Sequence, residues 1–136
     1  MSEANKKISV VFPAYNEEAN IGKLLKSLLK QKGNFKLERI IVISDGSRDR
    51  TVEIVKKLER GNKVVSVIVH NERKGKMTRL NEILSMTKSD VLVGLDADIL
   101  IKDKHYMEKL IAPIVLGQAD LVSGRLLPVT PKTFIE

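Results

Sequence analysis

The sequence has no cysteine and no tryptophan, and aromatic residues make up only 4% of its 136 positions. Without cysteine there is no disulfide framework and no thiolate metal site, so a reducing compartment, the cytoplasm, is the expected setting. Few aromatic rings leave few stacking platforms for single-stranded nucleic acid. No recognition-helix or RNA-binding signature is present either, and nucleic acid is not an expected partner. The opening MSEANKK lacks the apolar centre of a signal peptide, and no apolar run approaches the ~20 residues that span a bilayer. Repeats, low-complexity stretches and internal linkers are also missing.

What is present is an ordinary globular composition, 43% hydrophobic and 30% charged, far from the signature of disorder. A chain of this size hides roughly two thirds of its unfolded surface, enough for one core, so residues 1–136 read as a single domain. The 24 Lys and Arg against 17 Asp and Glu leave a formal charge of +7. That excess points to an anionic partner, and charge alone does not choose between nucleic acid, lipid headgroups and a phosphorylated small molecule.

Along the chain the hydrophobic period alternates between two and 3.6. Ile8–Phe12 is an apolar, β-branched run expected to stop as a strand at Pro13. From Asn20 to Gln31 the apolar residues Ile21, Leu24, Leu25, Leu28 and Leu29 form a helical stripe, with Gly33 placed for a left-handed cap. The alternation repeats with a strand at Ile40–Ser44, a helix at Thr51–Arg60 stopped by Gly61, and a strand at Val64–Val69. A helix over Lys76–Thr87 carries Met77, Leu80, Ile83 and Leu84 on its apolar face, and a fourth strand spans Val91–Leu95. Lys104–Leu116 reads as a helix broken near Pro113, and Asp120–Ser123 as a fifth strand. Strands alternating with helices predict an α/β, Rossmann-like fold: a mostly parallel sheet with helices on both faces and ligands at the carboxyl ends of the strands.

The loops at those ends therefore hold the candidate chemistry. They are PAYNEE (Pro13–Glu18), SDGSRDRT (Ser44–Thr51), HNERKGK (His70–Lys76) and DAD (Asp96–Asp98). Taken singly, most have bland explanations: Asp45-Gly46 is turn chemistry, Asp49 can cap the following helix, and Lys74 and Lys76 can be a solvated charge run. Asp96 and Asp98 resist this. Two like charges directly after a buried strand repel unless a cation lies between them, and carboxylate oxygens are the ligands that Mg²⁺ or Mn²⁺ prefers.

Four motifs in this order, PAYNEE, DGSRDRT, NERKGKMTRLNEIL and LDADI, resemble family 2 glycosyltransferases of the GT-A fold, over about residues 8–125. The resemblance implies that Pro13, Ala14, Tyr15 and Glu17 line a nucleotide pocket, with Tyr15 beside the base. It implies that Asp45 accepts a hydrogen bond from a base N–H and that Lys76 is a basic contact to the nucleotide. Asp96 would lie near the ribose and share with Asp98 the holding of Mg²⁺ or Mn²⁺ on the diphosphate.

Departures from the family pattern carry their own expectations. Ser44 stands where the family commonly has a first aspartate, so one polar contact to the nucleotide is expected to be weaker or rearranged. Leu100 replaces a Gln often found in the branch that makes dolichol-phosphate sugars, which argues against that branch. His105, alone on a helix, reads as structural. Gly124-Arg125 with Pro128 resembles the passage to an acceptor-binding half whose catalytic Asp has no counterpart here, so the chain reads as the donor-binding part of a longer enzyme. The expected function is glycosyl transfer from a nucleoside-diphosphate sugar, UDP- or GDP-linked, to a sugar or lipid-linked acceptor. The missing portion could tether the enzyme to the cytoplasmic face of a membrane. Two alternatives are a sugar-1-phosphate nucleotidyltransferase, disfavoured because PAYNEE replaces its Gly-rich loop, and a non-catalytic scaffold of the same fold.

Overall fold

The computed structural model describes residues 5–124; Arg125 and Pro128 lie outside them. Eight elements alternate as the sequence period does: β1 (Lys6–Ala14), α1 (Ile21–Leu29), β2 (Phe35–Asp45), α2 (Thr51–Gly61), β3 (Val65–His70), α3 (Lys76–Leu84), β4 (Val91–Gly94) and α4 (Tyr106–Val115). Among the described residues the strands form one sheet in the order β3-β2-β1-β4, every pair parallel. The fold is α/β and Rossmann-like, with helices on both faces.

Strand alternation sorts the side chains into two cores. Even-numbered residues of β1 and β2, including Val10, Phe12, Ile40 and Val42, face α1, α2 and α4 in the larger core. On that side Ile21, Leu24, Leu25 and Leu28 of α1 are fully buried, each contributing about 1.5–3 kcal/mol of apolar burial. Odd-numbered residues Val11, Ile41 and Ile43 face α3, where Ile83 completes a small second core with Leu80, Ile68 and Leu92 around it. Among the described residues a single helix covers this second face, and its hold there rests on few side chains.

Several boundaries differ from expectation for identifiable reasons. β1 runs through Pro13 to Ala14 rather than stopping at Phe12. Leu95 N–H donates to the Val11 carbonyl at 3.0 Å, so odd-numbered residues of β1 turn their backbone groups toward β4. β4 ends at Gly94, and the N–H that Pro13 lacks therefore has no neighbour to miss it. Likewise α4 continues through Pro113 instead of breaking. Met107 and Ile111 before Pro113, and Ile114 and Val115 after it, all pack on the larger core and outweigh a cost of about 3 kcal/mol. Asp120–Ser123 forms no strand: Leu121 is 89% exposed, and two apolar residues between polar neighbours bury too little to hold an edge.

The α3 face also differs. Met77 and Leu84 are exposed, while Arg79 is as buried as Ile83, four residues later on the same side. Gly33 does not cap α1, which closes at Lys30. It instead lies under Glu108, where a Cβ would meet Oε2 at 2.6 Å, and Asn34 N–H donates to that same oxygen at 2.5 Å.

Because α3 is held mainly through the second core, Ile83→Ala is expected to cost about 2–5 kcal/mol. Hydrogen exchange should show protection lost first across α3 and the loop before it, with β1 and β2 spared. Uniform loss across the sheet would show that α3 is not an independently held layer.

Candidate functional site

In the order β3-β2-β1-β4 the chain builds outward from β1 to β3 and then returns to β1's other side, so the strand order reverses between β1 and β4. Loops leaving the two strands there diverge and open a crevice at the carboxyl ends. A cleft of about 260 Å³ occupies this place, walled by Pro13, Ala14, Tyr15 and Glu17 after β1, Asp45 at the end of β2, Arg73, Gly75 and Lys76 after β3, and Asp96, Ala97 and Asp98 after β4. All four strand-end loops meet there, and every candidate residue named from the sequence lines it. A larger groove of about 540 Å³ runs beside β4, largely apolar along Leu92, Val93, Leu110 and Ile114, and the first three loops do not reach it.

Asp45 continues the odd-numbered series Ile41, Ile43 and so points to the α3 side, where Arg79 stands one helical turn before Ile83. The Asp45 side chain is 5% exposed and that of Arg79 2%. Arg79 uses its whole fork: Nε donates to Asp45 Oδ1 at 2.8 Å, Nη1 to Glu82 Oε1 at 2.7 Å, and Nη2 to the Glu72 carbonyl at 2.7 Å. Asp45 also accepts Lys74 N–H on Oδ1 at 2.8 Å and Gly75 N–H on Oδ2 at 2.9 Å. Burial by itself pushes the Asp45 carboxyl up. The N–H of Lys74, the Arg79 guanidinium and the N–H of Gly75 outweigh it and hold the group below its ordinary value, ionised at neutral pH. Three of about four lone-pair positions are filled, which leaves one on Oδ2 for a further donor.

Glu82 extends the network, accepting from Arg79 and pairing with His70 Nε2 at 2.8 Å; the Arg79 hydrogen bond is the main cause of its lowered pKa. Gly46 sits at φ +76, and a Cβ there would come within 2.8 Å of the Arg73 backbone nitrogen, so the β3–α3 loop closes over a position that only glycine fills without strain.

A second set of bonds clasps the loops after β1 and β2. Asn16, at φ +52, accepts Arg48 N–H on Oδ1 at 2.8 Å, and its own N–H donates to Ser47 Oγ at 3.1 Å. Glu17 N–H donates to Thr51 Oγ1 at 2.8 Å, and Glu18 N–H to Asp49 Oδ2 at 3.2 Å. Asp49 also accepts Thr51 N–H at 2.9 Å, but from one position before the N-cap Arg50, so it tightens the turn into α2 without being its capping residue. Ser44 is fully buried, outside the cleft wall, and its Oγ has no hydrogen-bond partner among the described residues.

Within the cleft the Arg73 guanidinium lies 3.9 Å from the centroid of the Tyr15 ring, which marks that ring as a surface for planar groups. Lys76 Nζ pairs with Asp96 Oδ1. Asp98 is exposed beyond it. Among the described residues no cluster of three or more His, Cys, Asp or Glu side chains forms a self-sufficient metal site. Two carboxylates at the mouth of a cleft nevertheless fit Mg²⁺ or Mn²⁺, which take one or two protein carboxylates together with substrate phosphate oxygens. His105 is exposed and adjoins Asp103 and Glu108 rather than the cleft.

The profile of Glycosyl transferase family 2 matches residues 9–135. The chain belongs to glycosyltransferase family 2. It is 40% identical over 112 residues to 4,4'-diaponeurosporenoate glycosyltransferase of Staphylococcus haemolyticus, a match covering 80% of this chain and 28% of that protein. Among solved structures it resembles S. aureus TarS 1-349 in complex with UDP, with TM-score 0.71 and 28% identity over 90% of this chain and 38% of that one. It also resembles glucosyl-3-phosphoglycerate synthase of Mycobacterium tuberculosis in complex with Mn²⁺, UDP-glucose and phosphoglyceric acid, with TM-score 0.66 and 28% identity over 83% of this chain and 41% of that one. The chain thus spans between 28% and 41% of the length of these three relatives.

Sequence reasoning missed Arg79, Arg73 and the Asn16–Ser47–Thr51 clasp. Arg79 lies four positions before Ile83, on the same side of α3, but its charge hides it from a search for apolar periodicity. Arg79→Met should destabilise the domain by about 3–5 kcal/mol, because it leaves the Asp45 carboxylate buried without its cation. Asp45 also contributes to acid stability: its folded pKa lies below the unfolded one, so its stabilisation is complete above about pH 4 and is lost as pH falls through the folded value. Urea melts between pH 6 and 2 should show the wild type losing stability more steeply below pH 4 than Asp45→Asn. Parallel curves would remove Asp45 from the acid transition.

Proposed function

We propose that this chain binds the donor of a glycosyl transfer, a nucleoside-diphosphate sugar carried with Mg²⁺ or Mn²⁺. The observation that carries the reading is the meeting of four strand-end loops at one cleft that offers an aromatic face, a buried ionised carboxylate, two cations and a pair of aspartates. Tyr15 supplies the face on which a base stacks, exchanging with the Arg73 guanidinium. Asp45, with one acceptor position left, takes a base N–H, and its three fixed donors hold the carboxylate still while it does so. Lys76 and Arg73 place positive charge toward the diphosphate, and Pro13, Ala14 and Glu17 close the wall beside the nucleoside. Asp96 and Asp98 hold the cation, which offsets the charge that develops on the departing diphosphate as the sugar carbon becomes electron-poor. The family match and the UDP- and Mn²⁺-containing complexes of the relatives support this reading.

In this proposal the base that deprotonates the acceptor is not among the cleft carboxylates. Asp45 is buried, held by three donors and assigned to the base N–H, Asp96 and Asp98 serve the cation, and Glu17 Oε2 accepts Asn20 Nδ2 at 3.1 Å. A well-placed base commonly contributes 10²- to 10⁴-fold to such a step. The 136-residue chain is accordingly expected to bind donor and to hydrolyse it slowly at most.

Thermal melts with UDP, GDP, CDP and dTDP, each with and without Mn²⁺, test the assignment, because a ligand selective for the native state raises the melting temperature. At least one nucleotide should stabilise the chain, and more strongly with Mn²⁺. Asp98→Asn should lose the metal-stimulated part while matching wild type in EDTA. No shift with any nucleotide would refute donor binding, and an undiminished Mn²⁺ effect in Asp98→Asn would refute its role as a ligand.

A further inference from the structure

Lys76 stands in an unusual position for a phosphate-binding lysine. Its ammonium rests on Asp96, one of the two carboxylates assigned to the cation. The backbone at its root is fixed: Gly75 N–H is bound to the buried Asp45 at 2.9 Å, Gly75 itself sits at φ +96, and its carbonyl accepts Arg79 N–H at 3.3 Å. A lysine held so firmly at its base delivers its head group to one small region, the mouth of the cleft. There the ammonium and a divalent cation require the same carboxylate, and no third protein ligand makes up for the loss among the described residues.

We infer that Lys76 is a tethered counter-ion for Asp96 which makes cation binding conditional on the nucleotide. Without nucleotide the ammonium neutralises Asp96 and repels a second cation, so metal alone binds poorly. A nucleoside diphosphate brings anionic oxygens to the same spot. The ammonium then exchanges Asp96 for phosphate, freeing the carboxylate, while the diphosphate supplies the ligands that Asp96 and Asp98 lack. Each ligand therefore raises the affinity of the other by the same factor, as linkage requires. The inference rests on the donor-binding reading and adds to it a role for Lys76 before any donor is present. An exposed ion pair together with one unit of charge beside the metal corresponds to about three- to tenfold in metal affinity.

The test is direct binding of Mn²⁺, followed by electron paramagnetic resonance of the free ion, to wild type, Lys76→Met and Lys76→Arg, first alone and then with the nucleotide that gives the largest thermal shift. The Lys76 side chain is half exposed, so Lys76→Met should keep the fold, which circular dichroism checks. Expected results are that Lys76→Met binds Mn²⁺ alone about three- to tenfold more tightly than wild type and that Lys76→Arg resembles wild type. The gain in Mn²⁺ affinity on adding nucleotide should shrink in Lys76→Met. Unchanged or weaker binding of Mn²⁺ alone by Lys76→Met would overturn the counter-ion role while leaving donor binding intact. Mn²⁺ binding by none of the proteins, with or without nucleotide, would overturn the metal reading and this inference together.

Discussion

Taking a guanidinium and a carboxylate out of water costs several kcal/mol for each ion, and only close pairing with every remaining hydrogen bond satisfied offsets that cost. Arg79 and Asp45 come close to that condition: three donors reach the carboxylate, and each of the three guanidinium nitrogens has an acceptor. Much of the site depends on this pair. The carboxylate fixes the backbone of Lys74 and Gly75, the fork fixes Glu72, and between them the β3–α3 loop is pinned over Gly46. The same pair sets the rotation of α3 about its axis, since a buried Arg79 requires Met77 and Leu84 to face outward. A polar interaction thus orients a helix for which apolar packing alone gave another answer.

How far the site was legible from the sequence follows from which signals survive without geometry. The alternation of periods located the strands and implied a parallel sheet whose trailing loops share one edge. It was the resemblance of four ordered motifs to family 2 glycosyltransferases that assigned Pro13, Tyr15, Asp45 and Lys76 to one nucleotide pocket, and the paired carboxylates Asp96 and Asp98 stood out by their own repulsion. Arg79 could not be placed, because a helical stripe is recognised by its apolar members and a buried arginine breaks the stripe. The clasp of Asn16 with Ser47 and Arg48 was equally hidden: two loops about thirty residues apart are tied by groups that, read singly, are ordinary turn formers. Pro113 misled for the opposite reason. A local rule about proline gave way to packing on both sides of it, which no local window records.

Charge acts at two scales in this molecule. The chain as a whole is basic by +7, and such an excess draws anions toward it from beyond contact range. At the cleft itself the signs alternate closely, with Asp45 against Arg79, Asp96 against Lys76 and Arg73 over the Tyr15 ring. In the proposed reading the long-range excess brings a phosphorylated ligand near. The short-range alternation then lets it bind by exchanging partners rather than by filling a bare positive hole.

Pro13 has a consequence beyond its own strand. In a parallel ladder, the rung after the bond from Leu95 N–H to the Val11 carbonyl would run from the backbone nitrogen of residue 13 to the Leu95 carbonyl. Proline has no hydrogen to give, so β4 cannot zip any further along β1. The chain after Leu95 leaves the pleat and bends back on itself, with Ile99 N–H reaching the Asp96 carbonyl at 3.4 Å. The end of the fourth strand is thus matched to a residue in the first: pairing stops where the next rung would need the hydrogen that Pro13 lacks, and Asp96 and Asp98 lie in the turn that follows.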